Sequence, residues 1–212
     1  MKRVITYQDI PLSGELQAPL GSVVTPSARD LAAERGVKIA LLPSDQIHGL
    51  APPEKTIAIG ADHGGFRLKE QLKPVLAELG LAIRDTGVAE ETPVDYPDIA
   101  LQVAELVASG AAARGVIIDG AGIGSAMVAN KVPGVRAALC YDKASARNSR
   151  EHNDSNVLTL GGKLLTATQA EEVLRVWLGT AFAGGRHAAR VLKITEVERK
   201  YAKDRPILKE PK

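Results

Sequence analysis

The chain has 212 residues, enough for one ordinary domain and an appendage. It carries 27 lysines and arginines against 25 acidic residues, a net charge of +2, and 3% aromatics; this balance supports neither nucleic-acid nor membrane-surface binding, nor a base-stacking face. Cys140 is its only cysteine, so no disulfide forms within the chain; with no apolar run of membrane-span or signal-peptide length, the expectation is a cytoplasmic protein.

In chain order, residues 1–53 come first and are punctuated by Pro11, Pro19, Pro26, Pro43, Pro52 and Pro53. Within them Thr25-Pro26-Ser27-Ala28-Arg29-Asp30-Leu31 reads as the capped start of an amphipathic helix with proline in its first turn, and Pro43 to Pro53 as a linker. From residue 54 the pattern changes to short apolar runs alternating with helical spacing. Thr56 to Gly60 predicts a strand. Residues 65–79 predict a helix, with Phe66, Leu68, Leu72, Val75, Leu76 and Leu79 near helical spacing and Gly80 as its stop. A strand over 81–86 and a helix over 97–109, opened by Pro97, follow. Then come a strand over 115–118, a glycine-rich turn, a helix over 123–130, a strand over 135–140 and a helix over 142–151. The last pair is a strand over 156–160 and a helix over 168–178. Residues 181–212 form a basic, helix-like tail. Apolar strands alternating with amphipathic helices predict a parallel sheet covered on both faces. The expected fold is therefore α/β and doubly wound, Rossmann-like or flavodoxin-like. A five-stranded parallel sheet and a C-terminal helix fill 54–212, with 1–53 as an N-terminal extension. Ligands in such sheets bind beyond the carboxyl ends of the strands.

The first such end carries Asp62-His63-Gly64-Gly65. This suits phosphate or hydroxyl binding at a helix start, although Asp62 as a helix cap and His63 as an exposed loop residue would look the same. The third carries Asp119-Gly120-Ala121-Gly122-Ile123-Gly124-Ser125. It follows the third strand rather than the first and lacks the dinucleotide-fingerprint spacing, so an anion or enediolate cradle is expected instead of a nicotinamide site; a plain tight turn is the alternative. Asp119, at the mouth of that cradle, is the candidate base for a proton next to a carbonyl. Its distance from the predicted helix argues against a capping role. His152, in Arg150-Glu151-His152-Asn153-Asp154, is a candidate acid/base or else a polar helix end. Arg186 and Arg190, at i and i+4, are spaced to grip a phosphate or to form a solvated basic face. Cys140 falls within a strand and reads as a buried thiol.

Taken together, Gly60-Ala61-Asp62-His63-Gly64-Gly65-Phe66, Asp95-Tyr96-Pro97-Asp98, Gly120-Ala121-Gly122-Ile123-Gly124, Ala129-Asn130-Lys131-Val132-Pro133-Gly134, Arg150-Glu151-His152-Asn153-Asp154 and Gly185-Arg186-His187 resemble ribose-5-phosphate isomerase B and the related galactose-6-phosphate isomerase subunits, over about residues 55–200. The resemblance implies an aldose–ketose isomerase of ribose 5-phosphate, or of another tetrose, pentose or hexose phosphate. It implies no metal and no organic cofactor, and a homodimer or dimer of dimers with sites shared between subunits. Asp62 would assist ring opening or bind a hydroxyl, His63 would contact the phosphate, and Tyr96 would line the pocket. Gly120, Ala121, Gly122, Ile123 and Gly124 would hold the enediolate with Asn153, and His152 would open the ring. Arg186, Arg190 and Lys163 would bind the phosphate. Many members carry a cysteine base where this chain has Asp119, and another branch a glutamate where it has Ser125. Asp119 is accordingly the expected base, with a non-catalytic sugar-phosphate-binding subunit as the competing expectation. The stretch from Gly14 to Ala32 resembles short segments attached to enzymes of bacterial microcompartments. It implies docking on a shell or cargo protein through residues 1–53; the alternative is a small arm packing on its own dimer.

Overall fold

The computed structural model describes residues 4–5, 10, 14–19, 22–42 and 55–202. The N-terminal unit contains β1 (Val4–Ile5), β2 (Glu15–Pro19), β3 (Val23–Val24), α1 (Pro26–Glu34) and β4 (Lys38–Leu42). β1 pairs with β3 and β2 with β4, both in parallel. The expected cap is present: Thr25 Oγ1 accepts from the Ala28 amide at 3.3 Å, with Pro26 opening the helix. Ala28 and Ala32 pack with Ile5, Ile10, Ala18 and Val37 in a small core. The apolar side of α1, which docking on a shell protein would use, is thus turned onto its own unit. The sequence reading found this helix but none of the four strands, which are two to five residues long and carry little periodicity. The linker expected at Pro43 to Pro53, and the end of the basic tail beyond Ala202, lie outside the described residues.

The main unit runs β5 (Thr56–Ala61), α2 (Phe66–Glu78), β6 (Ala82–Asp85), α3 (Tyr96–Ala108), β7 (Arg114–Asp119), α4 (Ile123–Ala129), β8 (Ala137–Leu139), α5 (Lys143–Asn153), β9 (Val157–Gly161), α6 (Ala167–Gly179) and α7 (Arg186–Ala202). Every element predicted over residues 54–178 is present, with ends shifted by one or two residues. The five strands are all parallel, in the order β6-β5-β7-β9-β8.

Strand alternation sorts the core into two faces. Ile57, Ile59, Val116, Ile118, Leu158 and Leu160 point to the face covered by α2, α5 and α6, where Leu72, Leu76, Leu174 and the fully buried Trp177 pack. Ala58, Ile117 and Val157 point to the other, covered by Ala100, Val103, Ala104 and Val107 of α3 and Ala129 of α4. Cys140 is buried as expected, and burial pushes its thiol above the ordinary range. Among the described residues no helix is long and apolar enough to cross a membrane.

The chain leaves β5 toward β6, then returns past it to β7. The crevice where the winding reverses therefore lies between the carboxyl ends of β5 and β7, which carry Asp62 and Asp119.

Candidate active site

At the end of β5, the Asp62 amide bonds the Ile118 carbonyl at 3.3 Å, which seats the turn against β7. Gly65 lets the chain enter α2 there, because any Cβ would collide with the Ile118 carbonyl. The Asp62 side chain is 7% exposed. Its Oδ1 accepts the Gly65 amide at 2.9 Å, and the Gly64 amide also faces the carboxylate. Burial lifts this carboxyl above its ordinary pKa; the Gly65 amide, His63 and the Gly64 amide oppose the shift, and neighbouring Asp119 adds to it. His63 itself is exposed at the rim.

The end of β7 departs from expectation. Asp119 Oδ1 accepts the amides of Ala121, at 2.8 Å, and of Gly122. Its Oδ2 accepts the Ser125 amide at 3.0 Å and the Ser125 hydroxyl at 2.5 Å. Four donors fill the four lone-pair directions of a carboxylate that is 5% exposed. Motif and spacing alone point to Asp119 as a free base with all the loop amides aimed at substrate. In the structure Asp119 has no lone pair to spare, and the Ala121 and Gly122 amides face it. The capping role dismissed on spacing is close to what it performs: Ser125 is the third residue of α4, and the loop folds back through Gly122 at φ 78° to bring its amide to Asp119. The Gly120, Ile123 and Gly124 amides have no protein acceptor among the described residues, the last two being first-turn amides of α4.

Around this loop stand two other expected residues. Tyr96, at the start of α3, lays its ring against Gly124, where a Cβ would come within 2.6 Å of Cζ. Past β9, the Gly162 amide bonds the Asp119 carbonyl at 2.7 Å and the Lys163 amide bonds the Gly120 carbonyl at 3.0 Å. The Lys163 side chain then passes over Gly120. Asp62, His63, Tyr96, Asp119, Gly120 to Gly124 and Lys163 thus share the carboxyl edge of the sheet.

The remaining predicted residues do not join them within one chain. α5 runs back from the end of β8 to the start of β9, so its final residues, His152 and Asn153, lie at the amino edge. Asp154 ends the helix in the left-handed conformation, φ 47°, with its carboxylate held by Arg136 at 3.1 Å and Arg150 at 2.8 Å. The Ala183 amide bonds the Glu151 carbonyl at 3.0 Å and brings the start of α7 alongside, with Arg186 and Arg190 exposed. His187, missed as a site residue, stacks on His152 with ring centroids 4.2 Å apart and planes 9° apart. Its signal in the sequence was weak: it lies on the inner stripe of α7 with Val191 and Thr195. At about 3.3 Å per residue, the six residues of β7 separate the two edges by about 17 Å. The chain therefore carries an acidic, amide-lined cluster at one edge and a histidine–arginine cluster at the other. Among the described residues no group of three or more His, Cys, Asp or Glu side chains is placed to hold a metal ion.

Known proteins bear on this arrangement. The Ribose/Galactose Isomerase family model matches residues 57–194, leaving the N-terminal unit outside it. The chain is 42% identical over 146 residues to ribose-5-phosphate isomerase B of Escherichia coli, covering 69% of this chain and 98% of that protein. It is 39% identical over 141 residues to D-erythrulose-4-phosphate isomerase of Pectobacterium atrosepticum, covering 66% and 92%. The structure of Clostridium thermocellum ribose-5-phosphate isomerase B superposes with a TM-score of 0.68 at 48% identity, covering 69% and 99%. With its fold, its strand-end residues and the family model all in agreement, this chain belongs to the ribose/galactose isomerase family, as a sugar phosphate isomerase.

Proposed function

We propose that this sugar phosphate isomerase interconverts ribose 5-phosphate and ribulose 5-phosphate through a cis-enediolate, with Asp62 rather than Asp119 as the base. The observation that carries the reading is the contrast between two neighbouring carboxylates. Asp119 is saturated by the loop it anchors. Asp62 is held only by the Gly65 and Gly64 amides, with no side-chain donor on it, and burial lifts its pKa toward the range that suits a general base.

In this mechanism the phosphate is held by His63, Arg186 and Arg190, with Lys163 as a further cation. His152 takes the proton of the anomeric hydroxyl and passes it to the ring oxygen as the furanose opens to the aldehyde, and Asn153 orients a hydroxyl. Asp62 takes the proton from C2. The C–H electron pair becomes the C1–C2 double bond, and the charge moves to O1, facing the Gly120, Ile123 and Gly124 amides. Asp62 returns the proton to C1 while a hydroxyl proton passes from O2 to O1, leaving the ketose. Because the two clusters lie at opposite edges of each sheet, the working site joins one edge of one chain to the other edge of a second copy, in a homodimer or dimer of dimers.

Competing substrates are separable by an isomerisation screen across tetrose, pentose and hexose phosphates. The highest kcat/KM is expected for ribose 5-phosphate, and a higher value for erythrulose 4-phosphate would replace this assignment. The second reading, a subunit that binds sugar phosphate without catalysis, draws on the saturated Asp119. Exchange of the C2 proton of ribose 5-phosphate in deuterated water decides against it; binding without exchange decides for it. For residues 1–53, the inward-facing α1 favours a small packed unit over a free docking helix. Residence inside a microcompartment would then depend on the outer surface of that unit, and fluorescence localisation of the isolated segment tests it.

A further inference from the structure

We propose that His187 is a positioning residue, which holds the His152 imidazole in the plane from which it serves the sugar; this rests on the isomerase reading above. Nothing in the motif set gave His187 a task, yet it is buried, at 8% exposure, while Arg186 and Arg190 on the same helix are exposed. Its ring lies flat on that of His152, 4.2 Å between centroids and 9° from parallel. The edge of His152 is fixed separately, with Asn148 Nδ2 at 2.9 Å from its Nδ1. One contact on the face and one on the edge remove both torsional freedoms of a histidine side chain, the preorganisation an acid–base group needs.

The chemistry of His187 fits a plate better than a proton carrier. Its Nδ1 is buried and has no hydrogen-bond partner among the described residues. A buried N–H without an acceptor is costly, which disfavours a proton on Nδ1 and with it the doubly protonated, charged ring. Burial, then His152, Arg186 and Arg190, all disfavour a charge on it; Glu151 alone among the facing groups favours one. A neutral aromatic ring can support a neighbouring imidazole through a proton-transfer cycle without competing for the proton. The support is anchored, because the Ala183 amide bonds the Glu151 carbonyl and ties the start of α7 to the end of α5.

The test compares His187→Ala and His187→Phe in the full-length chain. Three readouts are taken: kcat and KM for ribose 5-phosphate, melting temperature, and the NMR signals of the His152 ring protons without substrate, assigned with His152→Gln. His187→Ala should lower kcat by about tenfold or more, since small misplacements of a reacting group are costly, and leave KM within about twofold. The His152 ring signals should lose their stacking shift. His187→Phe should restore most of the rate and the shift. Wild-type kcat in His187→Ala, or His187→Phe as slow as His187→Ala with the shift intact, would overturn the proposal. If His187→Ala does not fold, His187→Gln makes the same comparison, as it fills the space without an aromatic face. If the wild-type chain isomerises no phosphosugar, the functional reading fails on its own, and unchanged His152 signals in the alanine variant would still refute the stack.

Discussion

Two neighbouring carboxylates, Asp62 and Asp119, show how little residue type alone settles. Both follow strands, both precede glycines, and both could be bases. Asp119 gathers four donors, one of them a hydroxyl, whereas Asp62 meets only backbone amides of its own turn. Asp62→Asn should therefore abolish turnover while the fold persists, as its amide oxygen can still accept from Gly65. The same variant should be more stable than wild type at neutral pH. The folded pKa of Asp62 is raised, so the native state holds its proton longer than the unfolded chain, and stability falls as pH rises from the ordinary aspartate value through the folded value. Thermal melts of both proteins at pH 4 and pH 7 check this: the difference should open only at the higher pH. Turnover should fall as pH drops through that same raised value, because the base must be ionised. Asp119→Asn behaves otherwise. It sets an amide NH2 against N–H donors that now lack an acceptor, at a cost of about 3 kcal/mol, so the denaturation midpoint should drop together with activity. Activity lost at unchanged stability would return Asp119 to the role of base.

Among the elements, the turns into α2 and α4 were legible as glycine-rich but not as shapes. Spacing located Gly120 to Gly124 beyond the third strand. It did not reveal that Gly122 adopts φ 78° and turns its amide inward, because that direction depends on an acceptor three residues earlier in the chain. Gly65 is more demanding than its sequence context suggests. Gly65→Ala must displace β7 or α2, and a loss of about 1–3 kcal/mol in stability, read from urea denaturation, is expected. In the N-terminal unit the capped helix was legible from Thr25 and Pro26. The short strands around it were not, since two to five residues cannot display a period.

For the whole molecule, His152, Arg186 and Arg190 lie at the opposite edge of the sheet from Asp62 within one chain, the two edges being about 17 Å apart along the strands. If sites are completed between copies, an Asp62→Asn chain and an Arg186→Ala chain, each impaired alone, should regain activity after mixing and subunit exchange, to about a quarter of wild type for a dimer. No gain after verified exchange would place a complete site within one chain. Removing residues 1–53 should leave kcat and KM for ribose 5-phosphate unchanged, because the family match begins at Ile57 and relatives of that extent align over 92–98% of their length. Lost activity in a still-folded product would instead give the N-terminal unit a part in the chemistry.

Local order along the chain was enough to establish the parallel α/β sheet, its five βα units and the family motifs, because apolar periodicity, helix caps and strand-end glycines act over a few residues. Two matters were beyond it. How each carboxylate is engaged depends on hydrogen bonds closed by the folding of the Gly120–Ser125 loop, and which predicted residues share an edge depends on strand direction and on helices that carry the chain from one edge of the sheet to the other. Both are set by packing between segments far apart in sequence, where a motif records the residues present and not the direction in which they face.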